Sequence, residues 1–113
     1  MGNLQDKTAV ITGASRGIGR AIALALAGAG AGVYLVADGT RGELESAAAA
    51  CREAGAPRAE IGVFDLAEQT AAQRVIDAAL AALERIDVLV NNAGIRVRKP
   101  FGAFTAGDFE LGM

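Results

Sequence analysis

Histidine and tryptophan are absent from this chain, and cysteine and tyrosine occur once each, as Cys51 and Tyr34. With no imidazole and one thiol, neither a disulfide framework nor a Cys/His metal site can be assembled, and the expected compartment is the cytoplasm. Long apolar runs are missing too: none approaches the roughly 18 residues of a membrane span. The polar opening over 1–7 runs straight into an apolar segment, so neither a signal peptide nor membrane association is expected. Charge is not biased to one sign. The net charge of −2 is spread along the sequence, which excludes the basic footprint of a nucleic-acid or anionic-membrane binder.

What the chain has instead is alanine and glycine, with 52% hydrophobic residues in all, the composition of a compact, helix-rich globular domain. Its 113 residues suffice for one modest core but are few for a complete two-halved dinucleotide-binding sheet.

The stretch that organises the rest is Val10-Ile11-Thr12-Gly13-Ala14-Ser15-Arg16-Gly17-Ile18-Gly19. An apolar strand over 7–12 must stop and reverse into a helix that starts near Gly17 or Ile18. Glycines at 13, 17 and 19 permit the tight turn and keep side chains out of the way. The N–H groups at that helix N-terminus, with the positive end of its dipole, favour a pyrophosphate. The spacing Gly-x-x-x-Gly-x-Gly differs from the ordinary Gly-x-Gly-x-x-Gly fingerprint, and the Gly-Lys-Ser/Thr ending of a P-loop is absent.

Along the chain, Ile18, Ala21, Ile22, Ala25, Leu26 and Ala29 recur at helical spacing and predict the buried face of a first helix. Gly28, Gly30 and Gly32 end it before a second strand over 33–37. Thr40 with Glu43 has the form of a capping box, and Leu44, Ala47, Ala48 and Cys51 form the inner stripe of a second helix closed by Gly55 and Pro57. Cys51 on that stripe is a small core residue rather than a reactive thiol. A third strand over 59–64 leads to Asp65-Leu66, and a third helix over 68–84 turns Ala72, Val75, Ile76, Ala79, Leu80 and Leu83 inward. A fourth strand over 87–91 is almost continuously apolar, as a parallel strand covered on both faces should be. After a loop through Arg96, Arg98, Lys99 and Pro100, Thr105 with Asp108 caps the start of a fourth helix, stapled by Phe104 and Phe109. Alternating strands and helices predict right-handed crossovers in a parallel sheet with strand order 3-2-1-4.

Thr12-Gly13-Ala14-Ser15-Arg16-Gly17-Ile18-Gly19, with Arg20-Ala21-Ile22-Ala23 after it, resembles the cofactor loop of the short-chain dehydrogenase/reductase family. Asn91-Asn92-Ala93-Gly94, at the end of a later strand, resembles that family's second motif, and the likeness runs from Lys7 to Met113. The resemblance implies an α/β fold, a Rossmann-type doubly wound parallel sheet. Here it would be incomplete, with four strands, three helices and the start of a fourth. Residues 1–113 would then be the N-terminal part of a single NAD(P)-binding domain, truncated before its catalytic half.

The residues assigned to cofactor contact are Gly13, Ser15, Arg16, Gly17, Ile18 and Gly19 for the pyrophosphate and adenosine ribose, and Asp38 for the ribose hydroxyls. Asp38 stands about 20 residues beyond the loop, where an acidic group can meet the ribose, or where a solvated turn residue would stand. It opposes a 2′-phosphate by about 3 kcal/mol per unit charge at about 5 Å in an effective dielectric of about 20, and so favours NAD. Arg16 attracts the same phosphate and favours NADP, so both cofactors stay open. Asp65 and Leu66 resemble the family's adenine contact, although Asp65, with Glu68 three residues on, would equally serve as a helix N-cap. Asn92, Ala93 and Gly94 are expected to touch the cofactor and Asn91 to brace the sheet. Arg96, Arg98 and Lys99 fit a solvated loop better than a site for an acidic substrate.

The family's catalytic set, a serine and a tyrosine followed four residues later by lysine, has no counterpart. Tyr34 is followed four residues on by Asp38, and the lysines are Lys7 and Lys99. No catalytic residue is therefore assigned, and no metal. The resemblance implies a parent NAD(P)-dependent oxidoreductase acting on a small alcohol or carbonyl compound, assembled as a homo-oligomer, with this chain inactive alone. Two other expectations stand beside it: a stand-alone dinucleotide-binding or regulatory module, and a chain that folds without binding anything.

Overall fold

A computed structural model describes residues 3–38 and 41–92 of the chain. The elements follow in the order β1 (Thr8–Thr12), α1 (Gly17–Gly28), β2 (Gly32–Ala37), α2 (Arg41–Ala54), β3 (Ala59–Val63), α3 (Ala71–Leu83) and β4 (Val88–Val90). The strands form one parallel sheet in the order β3-β2-β1-β4, the order expected from the sequence.

Strand alternation sends side chains to opposite faces of the sheet and so builds two cores. Ala9, Ile11, Val33 and Leu35 pack on one face with Ala23 and Ala27 of α1 and with Leu44, Ala47 and Cys51 of α2. Val10, Tyr34 and Val36 pack on the other with Val75, Ala79 and Leu83 of α3. All six residues of β2 are buried, as a central parallel strand requires. No described helix is long and apolar enough to cross a membrane.

Four expectations need correction. The buried face of α1 is Gly19, Ala23 and Ala27, and Ile18 is 72% exposed with Ala21 and Ala25 also outside. Apart from Arg20 the helix is built of glycine and apolar residues, so periodicity has little to choose its face by; close contact of Gly19 with the preceding loop does. Helix α3 begins at Ala71 rather than near 68, because 65–70 forms turns in which the Ala67 N–H donates to Asp65 Oδ1 at 3.0 Å. Asp65 thus closes a local turn, and Thr70 holds the N-cap position. Leu80 of α3 is 42% exposed, and Leu89 of β4 is 37% exposed, so β4 is not covered on both faces. The capping box at Thr40 and the helix expected from Thr105 lie outside the described residues.

Two contacts fix the outer parts of the sheet. Tyr34 leans over Gly62 on β3, where an added Cβ would lie 2.3 Å from the Tyr34 hydroxyl and 2.6 Å from the Phe64 ring. The ring occupies the space a side chain at 62 would need, an arrangement that pins register at a strand glycine. At the start of β4, the Asp87 carboxylate accepts from the Thr8 N–H at 2.9 Å and from the Arg85 guanidinium at 2.6 Å, while the Thr8 hydroxyl donates to the Arg85 carbonyl. The Arg85 hydrogen bond, then that of Thr8, holds the Asp87 carboxyl below the ordinary carboxylate range.

Gly62→Ala is expected to destabilise the chain by about 1 to 3 kcal/mol, because the added methyl must displace the buried Tyr34 ring and the half-buried Phe64 ring. The urea midpoint measures this; an unshifted midpoint would mean the Tyr34 ring yields freely. The Asp87 contribution is present at neutral pH, since its folded pKa is depressed, and is lost as pH falls through the carboxylate range. Asp87→Asn should accordingly flatten that limb of the stability–pH curve.

Candidate functional site

Strand β1 is flanked by β2 on one side and β4 on the other, so the chain order reverses there, and in sheets of this kind the ligand crevice lies beyond the strand ends at such a reversal. The glycine turn fills that position. Gly13 and Gly17 adopt φ of 65° and 63°, the left-handed region that side-chain-bearing residues avoid. The Ala14 N–H donates to the Val36 carbonyl at 3.1 Å and ties the turn to the end of β2.

Gly19 is constrained more tightly still. A Cβ there would lie 2.0 Å from the Gly13 carbonyl oxygen and 2.9 Å from the Asn92 side-chain nitrogen, so the first turn of α1 is pressed against the loop before it. At Gly17, by contrast, an added Cβ meets nothing within 4 Å among the described residues. Arg16 takes the N-cap position in extended conformation without a side-chain cap bond, and the first turn contains no acidic residue. Among the described residues, then, the first-turn N–H groups receive no cap from the Arg16 side chain and meet no side chain at Gly17, a donor set that fits a phosphate or pyrophosphate.

Thr12, fully buried at the end of β1, joins this turn to β4. Its hydroxyl donates to Asn91 Oδ1 at 3.1 Å and accepts from the Asn92 N–H at 2.9 Å. The Asn92 side-chain amide points its nitrogen at the Gly13 carbonyl, 3.5 Å away. One hydroxyl therefore bridges the two motifs that the sequence separates by some eighty positions. Thr12 was not among the expected site residues. Its signal was a hydroxyl in an otherwise apolar buried strand, where a polar group must find partners.

The other expected residues are distributed unevenly. Ser15 is half-buried and Arg16, Gly17 and Ile18 are exposed along the loop. Asp38 and Asp65 are exposed just beyond β2 and β3, at the same carboxyl end of the sheet. Leu66 is buried in the core on the α3 face, with Val75 and Tyr34. Asn91 is buried and Asn92 half-buried, whereas Ala93 and Gly94, like Arg96, Arg98 and Lys99, lie outside the described residues.

Tyr34 is buried mid-sheet, and burial followed by the Glu60 carboxylate raises its hydroxyl pKa above the ordinary tyrosine value, the wrong direction for proton exchange at neutral pH. Cys51 is a core residue as expected; burial pushes its thiol up, against a smaller opposing pull from Arg20 and Arg52.

Thr12→Val, which keeps the shape and removes the hydroxyl, is expected to cost about 1 to 3 kcal/mol through the loss of buried hydrogen bonds. Denaturant midpoints check this, with Thr12→Ser retaining most of the native value.

Residues 7–113 match the family model described as short chain dehydrogenase. The chain is 42% identical over 112 residues to gluconate 5-dehydrogenase of Gluconobacter oxydans, covering 96% of this chain and 41% of that protein. Among solved structures, a short chain dehydrogenase from Burkholderia cenocepacia in complex with NADP superposes with a TM-score of 0.76 at 35% identity, over 96% of this chain and 44% of that one. NAD+-bound xylitol dehydrogenase gives a TM-score of 0.75 at 33% identity, over 94% of this chain and 40% of that one. The chain thus spans about two fifths of the length of these relatives. With the glycine turn at the strand-order reversal and the Thr12 bridge to Asn91 and Asn92, the match places this chain in the short-chain dehydrogenase/reductase family.

Proposed function

We propose that this chain is the dinucleotide-binding part of an NAD(P)-dependent oxidoreductase that moves hydride between the nicotinamide and a small alcohol or carbonyl compound. The observation that carries the proposal is the uncapped first turn of α1, held by Gly19 against Gly13 at the strand-order reversal. The nicotinamide cofactor supplies the hydride chemistry. The chain's own residues bind and orient it. N–H groups of the loop and of the first turn, from Gly13 to Gly19, receive the pyrophosphate, and Asn92, with Ala93 and Gly94 after it in the sequence, contacts the adenosine ribose. Asp65 and Leu66 stand at the adenine end. Leu66 does so through its backbone, since its side chain is buried.

Residues 1–113 act as the N-terminal part of a single NAD(P)-binding domain, and the proton-transfer groups belong to sequence outside this stretch. Support comes from Tyr34, which is buried in the sheet and is followed four positions on by Asp38 rather than by a lysine. The named activities of the relatives, gluconate 5-dehydrogenase and xylitol dehydrogenase, support an alcohol or carbonyl substrate.

Arg16 and Asp38, both exposed at the crevice, act in opposite senses on a 2′-phosphate. Titration with NADH and NADPH, followed by nicotinamide fluorescence, reads both binding and preference. Gly19→Val should abolish saturable binding, and unchanged affinity would overturn the proposed site. Arg16→Ala is expected to weaken NADPH by about tenfold or more relative to NADH, the worth of one charge-assisted hydrogen bond. Asp38→Ala should shift the ratio the other way.

A further inference from the structure

Strand β3 is the outer strand of the described sheet, paired with β2 on one side. The Val33 N–H donates to the Arg58 carbonyl and the Phe64 N–H to the Ala37 carbonyl. In a parallel ladder this turns the peptide groups of residues 58, 60, 62 and 64 toward β2 and those of Ala59, Ile61 and Val63 outward. A groove of about 360 Å³ runs beside this edge, lined on α2 by Arg41, Glu45, Ala48 and Arg52. A row of outward peptide groups beside a groove is a template for an added strand.

One of those groups is already engaged. The Arg52 guanidinium crosses from α2 and donates to the Ala59 carbonyl at 2.6 Å. That oxygen is the first acceptor an incoming strand would need.

We propose that Arg52 guards a strand-addition site, and that the strand it excludes is β3 of a second copy of this chain, paired antiparallel about Ile61. In that register Ile61 faces its own copy and Ala59 faces Val63, so every outward peptide group meets another. The Val63 N–H of the second copy would donate to the Ala59 carbonyl, the oxygen that Arg52 holds. Glu60 faces Gly62, where no side chain exists, so no like charges oppose across the pair. The groove carries two arginines and two glutamates, a balance that suits a two-fold copy better than a segment of one charge.

Arg52→Met removes the donor while keeping an unbranched aliphatic side chain of similar reach. Its weight-average mass in sedimentation is expected to rise up to twofold over the native chain as concentration increases, with the Ile61 and Val63 amides gaining protection from hydrogen exchange. Adding Val63→Lys, a charge on the exposed edge, should return the mass to the native value. A mass that stays at the native value overturns the proposal. So does a rise without protection at Ile61 and Val63, or one that survives Val63→Lys. If Arg52→Met does not fold, Arg52→Lys, which keeps a weaker donor, takes its place with a smaller rise; no rise there overturns the proposal equally.

Discussion

The Gly13 carbonyl lies where a side chain on Gly19 would have to be. This exclusion fixes how α1 leaves the loop, and much of the architecture depends on it. With Gly19 inward, the helix presents Ala23 and Ala27 to the sheet and brings its backbone close to β1 and β2. The same contact sets the first-turn N–H groups of α1 at the reversal of strand order. Packing and ligand geometry are here one constraint, since a side chain that spoiled the helix contact would also displace the loop from the crevice.

Around that contact the structure ties the strand ends together with a few polar groups. Thr12 joins β1 to the end of β4 through Asn91 and Asn92, and Ala14 joins the loop to the end of β2. At the opposite end, Thr8, Arg85 and Asp87 close the same pair of strands. Strand β4 is short and half-exposed, so these bonds at both of its ends do for its placement what two-sided burial does for β2. The parallel ladder between β1 and β4 runs over three residue pairs.

The sequence carried the element order, the sheet order and the glycine turn, because each is written in short-range terms: alternating periods, turn glycines, and an apolar run that meets a loop. It did not carry the face of α1, where alanine, leucine and isoleucine surround the axis and Arg20 alone gives the period something to contrast. Nor did it carry the start of α3, since Asp65 and Glu68 satisfy a capping pattern whose oxygens are used otherwise: one in a turn with Ala67, the other on Arg74 at 2.8 Å. Arg52 was invisible for a similar reason. On a helix wheel it is one more solvated cation, and its role appears only when β3 is laid beside it.

The lean of Tyr34 over Gly62 also has an optical meaning. Lacking tryptophan, the chain owes its near-ultraviolet emission to this one phenol, which sits between the central strand and the sheet's outer edge. Intensity and lifetime therefore report on a single seam, the β2–β3 boundary. Loosening of the outer strand is thus visible to light without any label being introduced.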